Sequence, residues 1–187
     1  EEPEKFVRDY TIQLKKGDKN IISGVVNIEL ALNQTATISI PELNINKEVD
    51  ANSPFEIKAE NIKYWSLENP KLYEVLIKTN LQTIKDKIGF RTIETSGADI
   101  LLNGKSIFLK GISIHEENAT GGRGSSESDA LRLLNWAKEL GCNFVRLAHY
   151  PHNENMIRLA DKMGILVWEE IPVYWTVDFT KDYVLEN

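Results

Sequence analysis

Two runs decide the fold: Asn143-Phe144-Val145-Arg146-Leu147-Ala148-His149-Tyr150-Pro151 and Gly164-Ile165-Leu166-Val167-Trp168-Glu169-Glu170. Each is a short apolar run that ends in polar side chains. Between them, residues 153–163 carry Met156, Ile157, Ala160 and Met163 at helical spacing. Strand, helix and strand at this separation predict parallel pairing through a right-handed crossover. A parallel barrel presents its ligand-binding groups in this way, at the C-terminal ends of its strands.

The pattern continues upstream. Residues 126–140 predict a helix, because Ser126 with Asp129 resembles a capping arrangement and Ala130, Leu133, Leu134, Ala137 and Leu140 share one face. Gly141 is its stop. Residues 110–115 predict a buried strand. Before them, 100–102 and 106–109 flank Asn103-Gly104, a strong hairpin signal. Three strands with two helices amount to the first third of an eightfold barrel, for which about 250 residues are typical.

Residues 10–93 follow a different rule, with apolar residues alternating in runs such as 10–14, 21–32, 36–40 and 73–79. Turn-forming clusters (Lys16-Gly17-Asp18, Asn33-Gln34, Asn52-Ser53-Pro54, Glu68-Asn69-Pro70) separate them, which suits an antiparallel sandwich. The change of pattern falls at Gly97-Ala98-Asp99. The expected fold class is multidomain β plus α/β: an immunoglobulin-like β-sandwich over residues 1–97, followed by the first third of a (β/α)8 TIM barrel over 98–187.

Composition excludes several functions. A net charge of -6, from 28 acidic and 22 basic residues, offers no footprint for nucleic acid and no polybasic segment for an anionic membrane. No stretch reaches the roughly 18 apolar residues of a membrane span, and the acidic opening is not a signal-peptide n-region. The compartment is therefore left as cytoplasmic, or periplasmic or secreted where a signal peptide has been removed. The single cysteine, Cys142, excludes an intrachain disulfide and suggests a buried thiol.

Each strand of the second half ends in candidate site residues: His115, Glu116 and Glu117; then Arg146 and His149; then Glu169 and Glu170. Carboxylates, imidazoles and a guanidinium on one rim suit a polyhydroxylated ligand, since each hydroxyl needs paired donors and acceptors. The alternative for His149 is a buried histidine bonded to backbone. Arg146, inside an apolar strand, must meet a carboxylate, whether as a structural pair or to orient a catalytic acid. Adjacent Glu169 and Glu170 point to opposite faces of a strand, so only one enters the rim.

No metal site is expected, because no second His or Cys falls at ligand spacing and His152 lies at a helix start. Gly121-Gly122-Arg123-Gly124-Ser125 lacks phosphate-loop spacing and reads as a connector. Trp168 and Trp175 could stack on sugar rings; for Trp65 the sandwich core is the expected place.

Taken together, Asn143, Val145, Arg146, Ala148, His149, Tyr150, Pro151, Asp161 and Gly164, followed by 165–168, resemble the first signature of glycoside hydrolase family 2, departing at Leu147. Similarity extends to Trp65-Ser66-Leu67-Glu68-Asn69-Pro70, Leu72-Tyr73, Gly89-Phe90-Arg91 and residues 103–116.

The resemblance implies the family's central immunoglobulin-like domain and the opening of its catalytic barrel. It also implies retaining hydrolysis by two glutamates about 5–5.5 Å apart. Both are expected beyond this chain, so no catalytic residue is assigned within it and the chain alone is expected to be inactive. What it implies here is a substrate-binding part of the site. His149 would contact sugar hydroxyls, Arg146 would brace the nucleophile, and His115, Glu117 and Glu170 would line the same pocket.

The expected substrate is a β-glycoside, with no cofactor. A β-galactosidase is the first expectation, a β-glucuronidase or β-mannosidase the next, and a non-catalytic carbohydrate-binding or scaffold protein the rival reading. A homo-oligomer is an allowed partner state.

Overall fold

Alternating burial along residues 35–40, 55–58, 73–78 and 83–88 follows directly from the alternating sequence. The computed structural model describes residues 6–29, 34–118, 121–122, 125–173, 178 and 180–181. It divides into two compact units, Glu1–Ile107 and Phe108–Asn187.

In the first unit, β1 (Val7–Leu14), β2 (Ile21–Ile28) and β5 (Phe55–Lys58) form one antiparallel sheet, in the order β1-β2-β5. The other contains β3 (Thr35–Ile40), β4 (Ile45–Asp50), β6 (Tyr73–Lys78) and β7 (Thr83–Ile88), in the order β4-β3-β6-β7. Ile12, Ile22 and Val26 from one sheet meet Ile38, Ile40, Val75 and Ile77 from the other in a single core. This is the expected immunoglobulin-like sandwich, and each such fully buried side chain stabilises it by about 1.5–3 kcal/mol. The expected strand 21–32 ends at Ile28; residues 30–33 lie outside those described.

Trp65 is fully buried. Its indole lies under the Arg91 guanidinium, 4.4 Å from the ring centroid, and against Gly89, where a Cβ would come within 2.6 Å of the ring. Asn103 fixes the same corner, donating to the Trp65 carbonyl at 2.9 Å and accepting from the Thr92 amide at 3.0 Å.

The Asn103-Gly104 turn joins β9 (Asp99–Leu102) to β10 (Lys105–Ile107), with both residues at positive φ (54° and 81°), as a two-residue hairpin requires. β9 also pairs with β8 (Ile93–Ser96), giving a small sheet β10-β9-β8. The hairpin, expected to begin the second domain at residue 98, is therefore grouped with the first unit, and the division follows Ile107.

The second unit is built as strand, helix, strand, helix, strand: β11 (Gly111–Ile114), α1 (Glu127–Glu139), β12 (Phe144–Leu147), α2 (Glu154–Met163) and β13 (Leu166–Glu169). The strands are parallel, in the order β11-β12-β13. Helix α1 starts at a full capping box, in which Ser126 Oγ accepts from the Asp129 amide at 3.2 Å and the Asp129 carboxylate accepts from the Ser126 amide at 3.1 Å. The Ser126 hydroxyl, donating to Asp129 Oδ2 at 2.7 Å, then the Ser126 amide and Arg132, lower the Asp129 carboxyl pKa to about 2. Asn153 caps α2, and Gly164, at φ 68°, closes it.

Ala130, Leu134, Ala137, Met156, Leu159 and Ala160 from the helices pack on Ile114, Val145 and Leu147. Leu140 departs from the expected inward face and is 70% exposed, since the chain turns out of the helix at Gly141. Cys142 is a buried free thiol.

Candidate functional site

Alternation places the chemistry on one face. Ile114, Leu147 and Val145 point to the helices, so Ser113, Arg146 and Trp168, which are paired across the three strands, point the other way. Below them Gly111, Phe144 and Leu166 form the next layer. Gly111 has to be glycine there, because a Cβ would come within 2.4 Å of the Phe144 ring and 2.6 Å of the Phe144 carbonyl oxygen.

Asn143 ties the beginnings of the strands together. Its side chain accepts from the Lys110 amide at 2.8 Å and donates to the Phe108 carbonyl at 3.0 Å. Sequence reasoning recognised Asn143 only as part of a motif; an asparagine just before a buried strand was the available signal for such a clamp.

At the C-terminal ends, the carboxylate that Arg146 requires is Glu170. Arg146 Nε donates to Oε1 at 2.8 Å and Nη2 to Oε2 at 3.0 Å, a two-pronged pair. These hydrogen bonds hold the Glu170 carboxyl below its ordinary value, partial burial opposes them, and the guanidinium charge adds to them. Glu169 is exposed, so of the adjacent carboxylates Glu170 is the one on this face.

His149 joins the cluster, its Nδ1 lying 3.0 Å from Arg146 Nη2 and 3.3 Å from Glu170 Oε2. Nδ1 thus lies between a guanidinium that can only donate and a carboxylate that can only accept. His115 packs edge-on to this ring, 5.3 Å between centroids, and is itself exposed. The structure thus brings Arg146, His149, Glu170 and His115 together. Glu117, exposed, lies two residues past His115.

Three residues outside this group shape its loops. Tyr150 Oη accepts from the Glu116 amide at 3.3 Å, and the Glu116 carboxylate accepts from the Asn153 amide at 2.9 and 3.1 Å. Glu116 therefore secures the start of α2. His152, just before the α2 cap, is buried, its Nε2 3.0 Å from the Ala148 carbonyl and its ring stacked on Tyr150 at 5.1 Å. The Ala148–His149 peptide bond is cis.

Trp168 is 58% exposed on the same face as Arg146. Trp175, Arg123 and Gly124 lie outside the described residues. Among the described residues no group of three or more His, Cys, Asp or Glu could hold a metal ion, and no helix is long and apolar enough to cross a membrane.

The chain is similar to known proteins. Residues 7–91 match the model "Glycosyl hydrolases family 2" and residues 93–181 match "Glycosyl hydrolases family 2, TIM barrel domain". A β-glucuronidase of Streptococcus agalactiae is 37% identical over 132 residues, covering 68% of this chain and 22% of its own length. A β-galactosidase of Arthrobacter sp. is 32% identical over 151 residues, covering 78% of this chain and 15% of its own. The crystal structure of Ruminococcus gnavus β-glucuronidase superimposes with a TM-score of 0.76 at 26% identity, over 91% of this chain and 30% of that one. The chain spans 22% and 15% of the lengths of these two relatives. With both halves of the described fold matched by models of one family, the chain belongs to glycosyl hydrolase family 2.

Proposed function

We propose that this chain is the sandwich and the first third of the catalytic barrel of a retaining exo-β-glycosidase. In this reading β11, β12 and β13 are barrel strands one to three, and the junction between domains lies between residues 97 and 108. The observation that carries it is the Arg146–Glu170–His149 cluster at the C-terminal ends of parallel strands, the end where barrel enzymes bind their ligands.

The roles follow from donors and acceptors. Arg146 and Glu170 neutralise one another and set the position of His149, whose imidazole is then held to meet a sugar hydroxyl. His115 and Glu117 supply further polar groups on the same rim. Glu170 is committed to Arg146 and held ionised, and Glu116 is committed to the Asn153 amide. Neither is suited to act as the proton donor, so the acid/base and the nucleophile of the retaining mechanism are assigned to other strands of the barrel.

A galactoside is the preferred substrate, because a rim whose cation is already paired favours a neutral sugar. A glucuronide is the second reading, favoured by the 37% identity to a β-glucuronidase.

The full-length polypeptide carrying these residues should release nitrophenol from the β-galactoside faster than from the β-glucuronide, with retention at the anomeric carbon. His149→Asn and Arg146→Lys should each lower kcat at least about tenfold, the usual scale for a lost positioning contact. Turnover by the 187-residue chain alone, inversion of configuration, or full activity in both variants would each overturn the proposal.

A further inference from the structure

The sandwich carries a polar cleft of its own. It has a volume of about 970 Å³ and opens beside β4 and β5, which are the edge strands of the two sheets. Four lysines line it against two glutamates, in a chain that is acidic overall. Lys71 pairs with Glu42 at 2.5 Å and Lys58 with Glu60 at 3.1 Å. Lys47 and Lys63, both exposed, have no ion pair among the described residues. The cleft therefore has uncompensated positive charge.

Its neutral groups are equally specific. Asn44, Asn46, Asn61 and Asn69 line the same cleft, and their side-chain amides make no hydrogen bond among the described residues. Each amide offers one acceptor and two donor hydrogens, the complement of sugar hydroxyls. The floor is rigid: Tyr73 is buried, its hydroxyl accepts from the Lys63 amide at 2.8 Å, and the Lys71 ammonium lies 4.6 Å over its ring. Asn44 and Asn61 both hold positive φ (53° and 59°), turning the backbone at the cleft margin.

We propose that this cleft is a docking site for an oligosaccharide carrying carboxylate or sulfate groups, with Lys47 and Lys63 meeting the anions and the asparagine amides meeting the hydroxyls. It lies within the first unit, apart from the Arg146 cluster, and would hold a polysaccharide whose ends are processed elsewhere. The choice of a saccharide ligand rests in part on the proposed glycosidase activity, so binding is measured independently of turnover.

Isothermal titration of the full-length polypeptide at low ionic strength with a chondroitin sulfate hexasaccharide, tetragalacturonate, a neutral galactan tetrasaccharide and dodecathymidylate tests this. One or both anionic saccharides should bind, identifying sulfate or carboxylate as the preferred group, and screening should weaken the binding as salt approaches physiological strength. Lys47→Gln/Lys63→Gln should weaken it at least about tenfold, as expected for two charge-assisted contacts. Lys85→Gln/Lys87→Gln, on exposed positions of β7, should leave it unchanged.

Nitrophenyl glycoside turnover should be the same in every variant, and loss of that turnover in all proteins would count against the glycosidase reading alone. The docking proposal is overturned if neither anionic saccharide binds, if the Lys47/Lys63 variant binds like wild type, or if the galactan or the oligonucleotide binds as tightly.

Discussion

Gly111→Ala tests whether the layer beneath Arg146 is as tightly built as the geometry requires. An alanine Cβ would sit 2.4 Å from Phe144 Cδ1, 2.6 Å from the Phe144 carbonyl oxygen and 3.1 Å from the carbonyl carbon. The ring can rotate away, but the carbonyl belongs to the neighbouring strand. Restoring the 2.6 Å approach to the 3.4 Å at which ordinary contact begins needs about 0.8 Å of movement between β11 and β12. The Asn143 clamp at Lys110 and Phe108 resists that movement. Overpacking of this kind costs about 1–3 kcal/mol. Hydrogen exchange of the full chain, followed by mass spectrometry, should then show opening of peptides containing residues 111–114 and 144–147 rising roughly 5- to 150-fold, the same cost expressed as a ratio. Peptides from β1 to β7 should keep wild-type protection. Unchanged protection at β11 and β12, or an equal rise in both units, would refute the reasoning.

Three further outcomes follow from the same geometry. Glu170 has its pKa lowered by Arg146 from 4.5, so its contribution to stability is present above about that pH and is lost as pH falls through the folded value; thermal melts of wild type and Glu170→Gln should differ at pH 7 and converge as the pH drops below 4.5, and parallel profiles would exclude the pairing. Asn143→Ala removes a hydrogen bond to each of two backbone groups and should cost about 1–3 kcal/mol in urea unfolding, with Asn143→Asp recovering the half that only needs an acceptor. Ser126→Ala removes the α1 cap and should cost about 1 kcal/mol, read as faster exchange in the first turn of α1 alone.

The alternation at residues 10–14, 36–40 and 73–79 was sufficient to read a sandwich, because a strand with one buried face writes that face into its sequence. The α1 and α2 segments were equally legible, since Ser126, Asn153, Gly141 and Gly164 act within a turn of their own positions. Partners set by tertiary contact were not. The hairpin at Asn103-Gly104 was visible, but its pairing with β8 was not, because the turn dictates only the local register. Glu116 looked like a possible ligand, and only its distance to the Asn153 amide shows it holding α2. His152 was legible as lying at a helix start, but its burial against Tyr150 was not, because that is set by tertiary packing.

The candidate site shows where that division lies. Strand geometry alone dictates that Glu169 and Glu170 cannot share a face, yet it leaves open which one faces Arg146, since a slip of one residue exchanges them. The observed register, Arg146 opposite Trp168 and Leu147 opposite Glu169, decides it: Trp168 and Glu170 share the face of Arg146. From that point the chemistry is forced. Arg146 needs a carboxylate and takes both oxygens of Glu170, and its Nη2 also lies 3.0 Å from His149 Nδ1. The same nitrogen lies 3.3 Å from Glu170 Oε2, so both members of the ion pair hold the ring. One cross-strand register therefore propagates, through a guanidinium and a carboxylate, to the placement of the His149 ring.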